Sequence, residues 1–163
     1  MIDFIDKNNI LSETQFSFWN GFSTEAAIIQ FIDEIHKGLN DRQYTAAVFM
    51  DLSKAFDVLD HKILKLKLEH YGFRGIFLDF ILNFVKECKY FVSVNGLKSN
   101  TKTVTNGVPQ GSTLGPLLFL LYVNDMNNSS RLLKFIQFAD DTTTTYRGFN
   151  LDIVKETVEN EIK

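Results

Sequence analysis

A chain of 163 residues is the size of one ordinary domain and can bury a real core. Its formal net charge of −3 argues against a protein that grips nucleic acid by charge alone. A single cysteine, Cys88, excludes an intramolecular disulfide or a cysteine-based zinc site and fits an intracellular, reducing compartment, nuclear or cytoplasmic. The longest apolar run, Leu117 to Val123, is far too short to span a bilayer, and Met1 to Lys7 has neither the basic region nor the apolar stretch of a signal peptide. No membrane partner is expected.

Residues 1–23 are mixed and aromatic. Ser23 or Thr24 is placed to cap a helix in which Ile28, Phe31, Ile32, Ile35 and Leu39 repeat at the spacing of one buried face, and Gly38 is a natural terminator. Tyr44 to Met50 is short and almost wholly apolar, the pattern of a central strand buried on both faces, and it ends abruptly in Asp51. Asp60 can cap a helix through Tyr71 that Gly72 stops. Its Lys62, Lys65 and Lys67 read as a solvated face rather than a phosphate-binding one. A more apolar helix over Ile76 to Glu87 carries Phe77, Phe80, Ile81 and Phe84 on one stripe.

The segments Tyr90 to Val94 and Thr101 to Thr105 read as a hairpin with a medium loop, Asn95 to Asn100. Gly107 to Ser112 is dense in residues that free or fix the backbone. Pro116 then opens an apolar, buried helix reaching about Met126. A second hairpin spans Leu133 to Tyr146, and a more polar helix runs from Asp152 to Lys163. Strands joined by helices but closed by local hairpins give an α+β class with a mainly antiparallel sheet packed on helices.

The second hairpin breaks a local rule. Two adjacent carboxylates, Asp140 and Asp141, occupy its turn, where Asn-Gly or Asp-Gly would supply the positive φ that closure prefers. Neighbouring carboxylates repel unless a cation lies between them, so the departure points to function. If the hairpin and the strand ending at Asp51 are sheet neighbours, three carboxylates converge. That is a donor set for two Mg²⁺ ions, which prefer hard oxygen ligands and serve phosphoryl transfer. Asp57 reads as structural and Asp60 as a cap, and His36, His61 and His70 have no partner spacing that suggests chemistry.

Phe49 to Asp57, Gly107 to Ser112 and Phe138 to Asp141 occur in that order and at suitable intervals, and they strongly resemble the A, B and C motifs of reverse transcriptases of non-LTR (LINE-type) retrotransposons. The segments Tyr71 to Gly75 and Leu114 to Asp125 resemble connecting elements of the same family, so that the likeness covers about Gln15 to Tyr146. The resemblance implies a polymerase palm, with residues 1–40 as the C-terminal part of the fingers region and 41–163 as palm.

It also implies roles. Asp51, Asp140 and Asp141 match the catalytic, metal-binding aspartates, with the Leu52 carbonyl contacting the nucleotide-side metal. Phe56 matches the aromatic residue under the incoming sugar, against a plainer reading as core. Gln110 matches the residue bracing nucleotide and template, and Gly111 permits close backbone approach. For Ser112 a helix cap and a substrate contact stay equally open. The implied cofactors are two Mg²⁺ ions, with Mn²⁺ as substitute, and the implied partners are an RNA template, a DNA primer and deoxynucleoside triphosphates.

The departures are specific. Family members commonly read Gln-Phe-Gly-Phe-Arg where this chain has Gln15-Phe16-Ser17-Phe18-Trp19, so that Trp19 replaces a cation. Cys88 and Tyr90 stand where Arg and Gln are common. The remaining fingers, the thumb and any endonuclease are expected in other segments of a parent polyprotein. The isolated chain is expected to carry out little or no processive synthesis. The alternative is an inactive retroelement remnant acting as a nucleic-acid or protein binding module; an unrelated two-metal nuclease explains Gly107 to Ser112 less well.

Overall fold

The computed structural model describes residues 1–86, 88–109 and 111–162. The chain forms two compact units, one from Met1–Ser53 with Val123–Lys163 and the other from Lys54–Tyr122. The architecture is α+β.

In the first unit, a short helix α1 (Ile2–Lys7) that the sequence pattern did not announce is followed by α2 (Thr24–Asn40) and strand β1 (Tyr44–Asp51). Ser23 caps α2 by accepting from the Ala26 N–H. The hairpin strands β6 (Lys134–Phe138) and β7 (Asp141–Gly148) complete an antiparallel sheet of order β1-β7-β6. Helix α6 (Leu151–Glu161) closes the unit, capped by the Asn150 side chain. The expected end of this helix at Lys163 lies outside the described residues.

Residues opposite each other in an antiparallel pair share a face, so the register sorts the sheet. Ala46, Val48, Phe135 and Tyr146 lie on the face that packs with Leu133 and Val158 of α6. Ile136 and Phe138 lie on the other, with Phe16 and with Ala26, Ala27 and Phe31 of α2. β1 therefore ends the sheet rather than lying at its centre, and none of its residues is fully buried. Its apolar run reflects contacts on both faces, Phe49 with Phe31 on one and Ala46 and Val48 on the other, not two strand neighbours.

The buried face of α2 is also not the predicted stripe. Ala27, Glu34 and Gly38 are buried, while Ile28, Ile32 and Leu39 are exposed. The sheet approaches too closely for large side chains: a Cβ on Gly38 would stand 2.1 Å from Thr45 Oγ1. Gly38 serves contact rather than termination, and the helix continues through it to Asn40. Glu34 is buried through charge, its carboxylate reaching Lys134 at 2.9 Å, Lys37 at 3.3 Å and Arg147 at 3.4 Å. Burial pushes its pKa up, but the hydrogen bonds and charges of Lys134 and Lys37 outweigh that and hold it below the ordinary carboxylate value.

The outer edge of β6 is covered by the segment before α2. Phe16 N–H donates to the Gln137 carbonyl and Gln137 N–H to the Thr14 carbonyl, both at 2.8 Å. This gives a parallel bridge between Gln15 and Gln137, which occupies the β6 edge at that residue.

The second unit holds α3 (His61–His70), α4 (Gly75–Lys86) and the greater part of α5 (Gly115–Val123). Asp60 caps α3, accepting from Lys62 and Ile63 N–H, and these backbone bonds hold its pKa below the ordinary value. In α4 the buried residues are Leu78, Ile81, Leu82 and Val85, one step around from the predicted aromatic stripe, with Phe80 exposed. The expected last residue of that helix, Glu87, lies outside the described residues.

The predicted first hairpin is two nested ladders, β2 (Lys89–Tyr90) with β5 (Lys102–Thr103) and β3 (Ser93–Val94) with β4 (Leu97–Lys98). Its loop is shorter than expected, a two-residue Asn95-Gly96 turn with both φ values positive, 49° and 81°. Helix α5 is buried as predicted but stops at Val123, and a 3-10 turn takes over at Met126–Ser129.

Candidate active site

Two carboxylates meet because of register. β1 and β7 pair antiparallel so that Asp51 stands opposite Asp141, and the pleat puts both on the sheet face that α2 covers further along. Like charges directly opposite weaken a strand pair, and both residues are exposed. The ladder reaches one step past Asp51, with the Leu52 N–H donating to the Asp140 carbonyl at 3.2 Å. The backbone thus ties Asp51, Leu52, Asp140 and Asp141 to one end of one sheet.

The turn itself differs from the sequence expectation. Phe138 pairs with Asp141, so the two loop residues are Ala139 and Asp140, and Asp141 opens β7. The positive φ, 55°, falls on Ala139. A two-residue hairpin of this kind usually places glycine there, and the left-handed region costs an alanine about 1–2 kcal/mol. Tertiary contacts hold it. Ala139 is buried, and its N–H donates to Ser17 Oγ at 2.9 Å.

Beneath the turn some polar groups are paired locally, while the buried Gln15 Nε2 and Thr144 Oγ1 have no hydrogen-bond partner among the described residues. Gln137 Oε1 accepts from Thr14 Oγ1 at 3.0 Å, and Met126 Sδ faces both Gln137 Nε2 and Thr142 Oγ1, at 3.5 and 3.7 Å. Asn124 ties the N-terminal segment down, donating to the Ile10 carbonyl and accepting from Ser12 N–H, both at 2.7 Å.

The donor set suits a hard divalent cation, since every candidate ligand is a carboxylate or carbonyl oxygen. Among the described residues, no three Asp, Glu, His or Cys side chains are already gathered at metal-binding distance, and none of the three aspartates is in an ion pair. Positions, rather than a closed cage, are what the backbone supplies.

The other predicted residues lie in the second unit. Phe56 is half-buried, its ring 4.4 Å from that of buried Phe119 and tilted by 32°. Gly107 has φ +84°, and a Cβ there would fall 2.5 Å from the Phe56 carbonyl oxygen and 2.8 Å from Asp57 Cα. Gly107 N–H donates to the Leu59 carbonyl at 2.7 Å and Val108 N–H to the Phe56 carbonyl at 2.8 Å. The loop carrying Phe56 and the Gly107 segment are therefore laced together, backbone to backbone. His61, given no role from spacing, is buried and places Nε2 2.7 Å from the Gly107 carbonyl. A buried histidine beside a capping aspartate gave no sequence signal of that bond.

Gly111 is exposed with φ +77°, and a methyl group added to it would meet nothing within 4 Å, so its glycine character answers to backbone conformation. Ser112 acts as a helix cap: its Oγ accepts from Gly115 N–H at 3.0 Å and donates to the Pro109 carbonyl at 2.6 Å. Gln110 lies outside the described residues. Lys67 is turned inward, donating to the Tyr122 carbonyl with its ammonium 5.1 Å from the Tyr122 ring centre, while Lys65 pairs with Glu69 at 3.8 Å.

Residues 1–161 match the family described as reverse transcriptase (RNA-dependent DNA polymerase). The probable RNA-directed DNA polymerase from transposon X-element of Drosophila melanogaster is 29% identical over 152 residues, which are 91% of this chain and 17% of that protein. The corresponding polymerase from transposon BS of the same fly is 31% identical over 124 residues, 76% of this chain and 14% of that one. Among solved structures, apo telomerase from Candida tropicalis, truncated from its C-terminal domain, superposes with a TM-score of 0.65 at 16% identity, over 98% of this chain and 35% of that one. At that identity the likeness speaks for the fold. The chain spans about a sixth of the length of these transposon polymerases, and it belongs to the reverse transcriptase (RNA-dependent DNA polymerase) family.

Proposed function

We propose that this domain adds deoxynucleotides to a primer 3′-hydroxyl on an RNA template, working within a longer polypeptide, with Asp51, Asp140 and Asp141 as its catalytic carboxylates. The observation that carries this reading is the pairing of Asp51 with Asp141, beside the Asp140 turn, on one sheet end. Opposed like charges weaken a strand pair, so their presence here runs against folding and points to function.

In this reading the three carboxylates and the Leu52 carbonyl hold two Mg²⁺ ions, or Mn²⁺ in their place. When bound, such ions would supply Lewis-acid chemistry, a lowered pKa for the attacking hydroxyl and charge stabilisation for the departing pyrophosphate. The chain's own part is orientation. The sheet fixes the donor positions, and the Leu52 N–H bond to the Asp140 carbonyl couples the end of β1 to the turn. Phe56, whose ring packs on Phe119, takes in this reading the role of the aromatic residue for the nucleotide sugar, and Gln110 and Gly111 take the roles the family motif assigns them. Residues 1–40 form part of the fingers region and 41–163 the palm.

The test is primer extension on poly(rA)/oligo(dT) with Mn²⁺ or Mg²⁺. The chain alone should give short, template-dependent additions at a low rate, because its formal charge of −3 favours no tight hold on a duplex. Asp140→Asn should abolish them. Extension that is equal in both proteins would overturn the assignment.

A further inference from the structure

We propose that Ser17 is a positioning residue for the carboxylate turn, its buried hydroxyl holding Ala139 in the left-handed conformation from which Asp140 and Asp141 are presented. The proposal rests on the metal-binding reading above.

The hydrogen bonds can run in one direction only. Ala139 N–H is a donor, so Ser17 Oγ accepts from it at 2.9 Å and must send its own proton elsewhere. It sends it to Gln15 Oε1, also at 2.9 Å. The same Oε1 accepts from Ser17 N–H at 3.2 Å, which fixes the carboxamide with its oxygen toward Ser17. Ser17 and Gln15 are 1% and 3% exposed, so water does not compete for these bonds.

The segment that carries them is itself anchored. Thr14 and Phe16 bond on either side to Gln137 of β6. The connection thus runs from Gln137, the next-to-last residue of β6, through Gln15 and Ser17, to the first residue of the turn that β6 leads into. A left-handed alanine relaxes when its N–H is released, because its Cβ opposes that conformation. Asp140 and Asp141 follow directly in sequence, so a rotated Ala139 peptide moves both. Ser17 touches no reacting atom; it acts through Ala139.

A merely structural serine and a positioning one differ in what its removal changes. The experiment compares the 163-residue chain with Ser17→Ala, Ser17→Cys and Asp141→Asn. Amide hydrogen exchange and Mn²⁺ titration are the readouts, neither of which depends on turnover. Ser17→Ala should speed exchange of the Ala139 amide about ten-fold while Ile136 and Thr144 stay within about two-fold, and should weaken Mn²⁺ binding about five-fold. Ser17→Cys, which fills the site with a slightly larger group and weakens the acceptor, should fall between, and it decides the matter if the alanine variant does not fold.

Ser17 variants that match the parent in both readouts, while Asp141→Asn has lost Mn²⁺, would overturn the proposal and leave the metal site standing. If Asp141→Asn binds Mn²⁺ as the parent does, the metal reading falls and this proposal with it.

Discussion

Asp51 and Asp141 are register partners in an antiparallel pair, two exposed carboxylates placed opposite each other where the strands end. Their repulsion works against the fold, and in the proposed reading their oxygens would serve as donors to a cation. Asp141→Asn should therefore raise the urea midpoint of the metal-free chain while weakening Mn²⁺ binding about ten-fold or more. Unfolding curves with and without Mn²⁺ measure both, and a variant that is less stable without metal would contradict the opposed roles.

Glu34 is the buried junction of α2 with β6 and β7 through Lys134 and Arg147. Its pKa is held below the ordinary carboxylate value. A depressed folded-state pKa contributes stability that is complete above the unfolded value, about 4.3, and is lost as pH falls through the folded one. Glu34→Gln should cost about 2 kcal/mol at pH 7 and flatten the acid limb of the stability profile. Denaturant titrations at pH 7 and pH 3 check this.

Gly38 lies inside a helix, where alanine is ordinarily better by about 1 kcal/mol. Here the order reverses, because the new methyl meets Thr45 Oγ1. Gly38→Ala should destabilise by about 1–3 kcal/mol, and Thr45→Ala in the same chain should recover most of the loss. Additive effects in the double variant would rule out the contact as the cause.

Gly107 stands against backbone rather than a movable side chain, at φ +84°. Gly107→Ala should cost more than about 2 kcal/mol and loosen the bond from Val108 N–H to the Phe56 carbonyl. Amide exchange at Val108 would report it. His61→Ala, which leaves the Gly107 carbonyl unpaired, should cost about 1–3 kcal/mol.

The α+β class, the order of elements from α2 onward and the caps at Ser23 and Asp60 were legible because each rests on a local signal. What a helix faces was not. In α2 the apolar stripe and the true contact face share Phe31 and Ile35, but the close sheet selects Ala27 and Gly38 by size and Glu34 by pairing across the fold. Periodicity cannot register small or charged contact residues. β1 looked central because both its faces make contacts, yet only one of its edges is paired.

The site was half visible. An apolar run ending in Asp51 and an Asp-Asp pair on a hairpin marked the carboxylates. The frame of the turn slipped by one residue because the positive φ falls on Ala139, stabilised by a serine more than a hundred positions away. Nothing local to Ala139 carries that information. Ser17 had its own faint signal, a hydroxyl where the resembling motif commonly has glycine.

The most direct measurement of the central claim is paramagnetic broadening of amide resonances on titration with Mn²⁺. The signals from Met50 to Leu52 and from Ala139 to Thr142 should be lost together at low Mn²⁺, with both sets retained in an Asp51→Asn, Asp141→Asn double variant. Broadening that begins elsewhere, or that persists unchanged in the double variant, would contradict that claim.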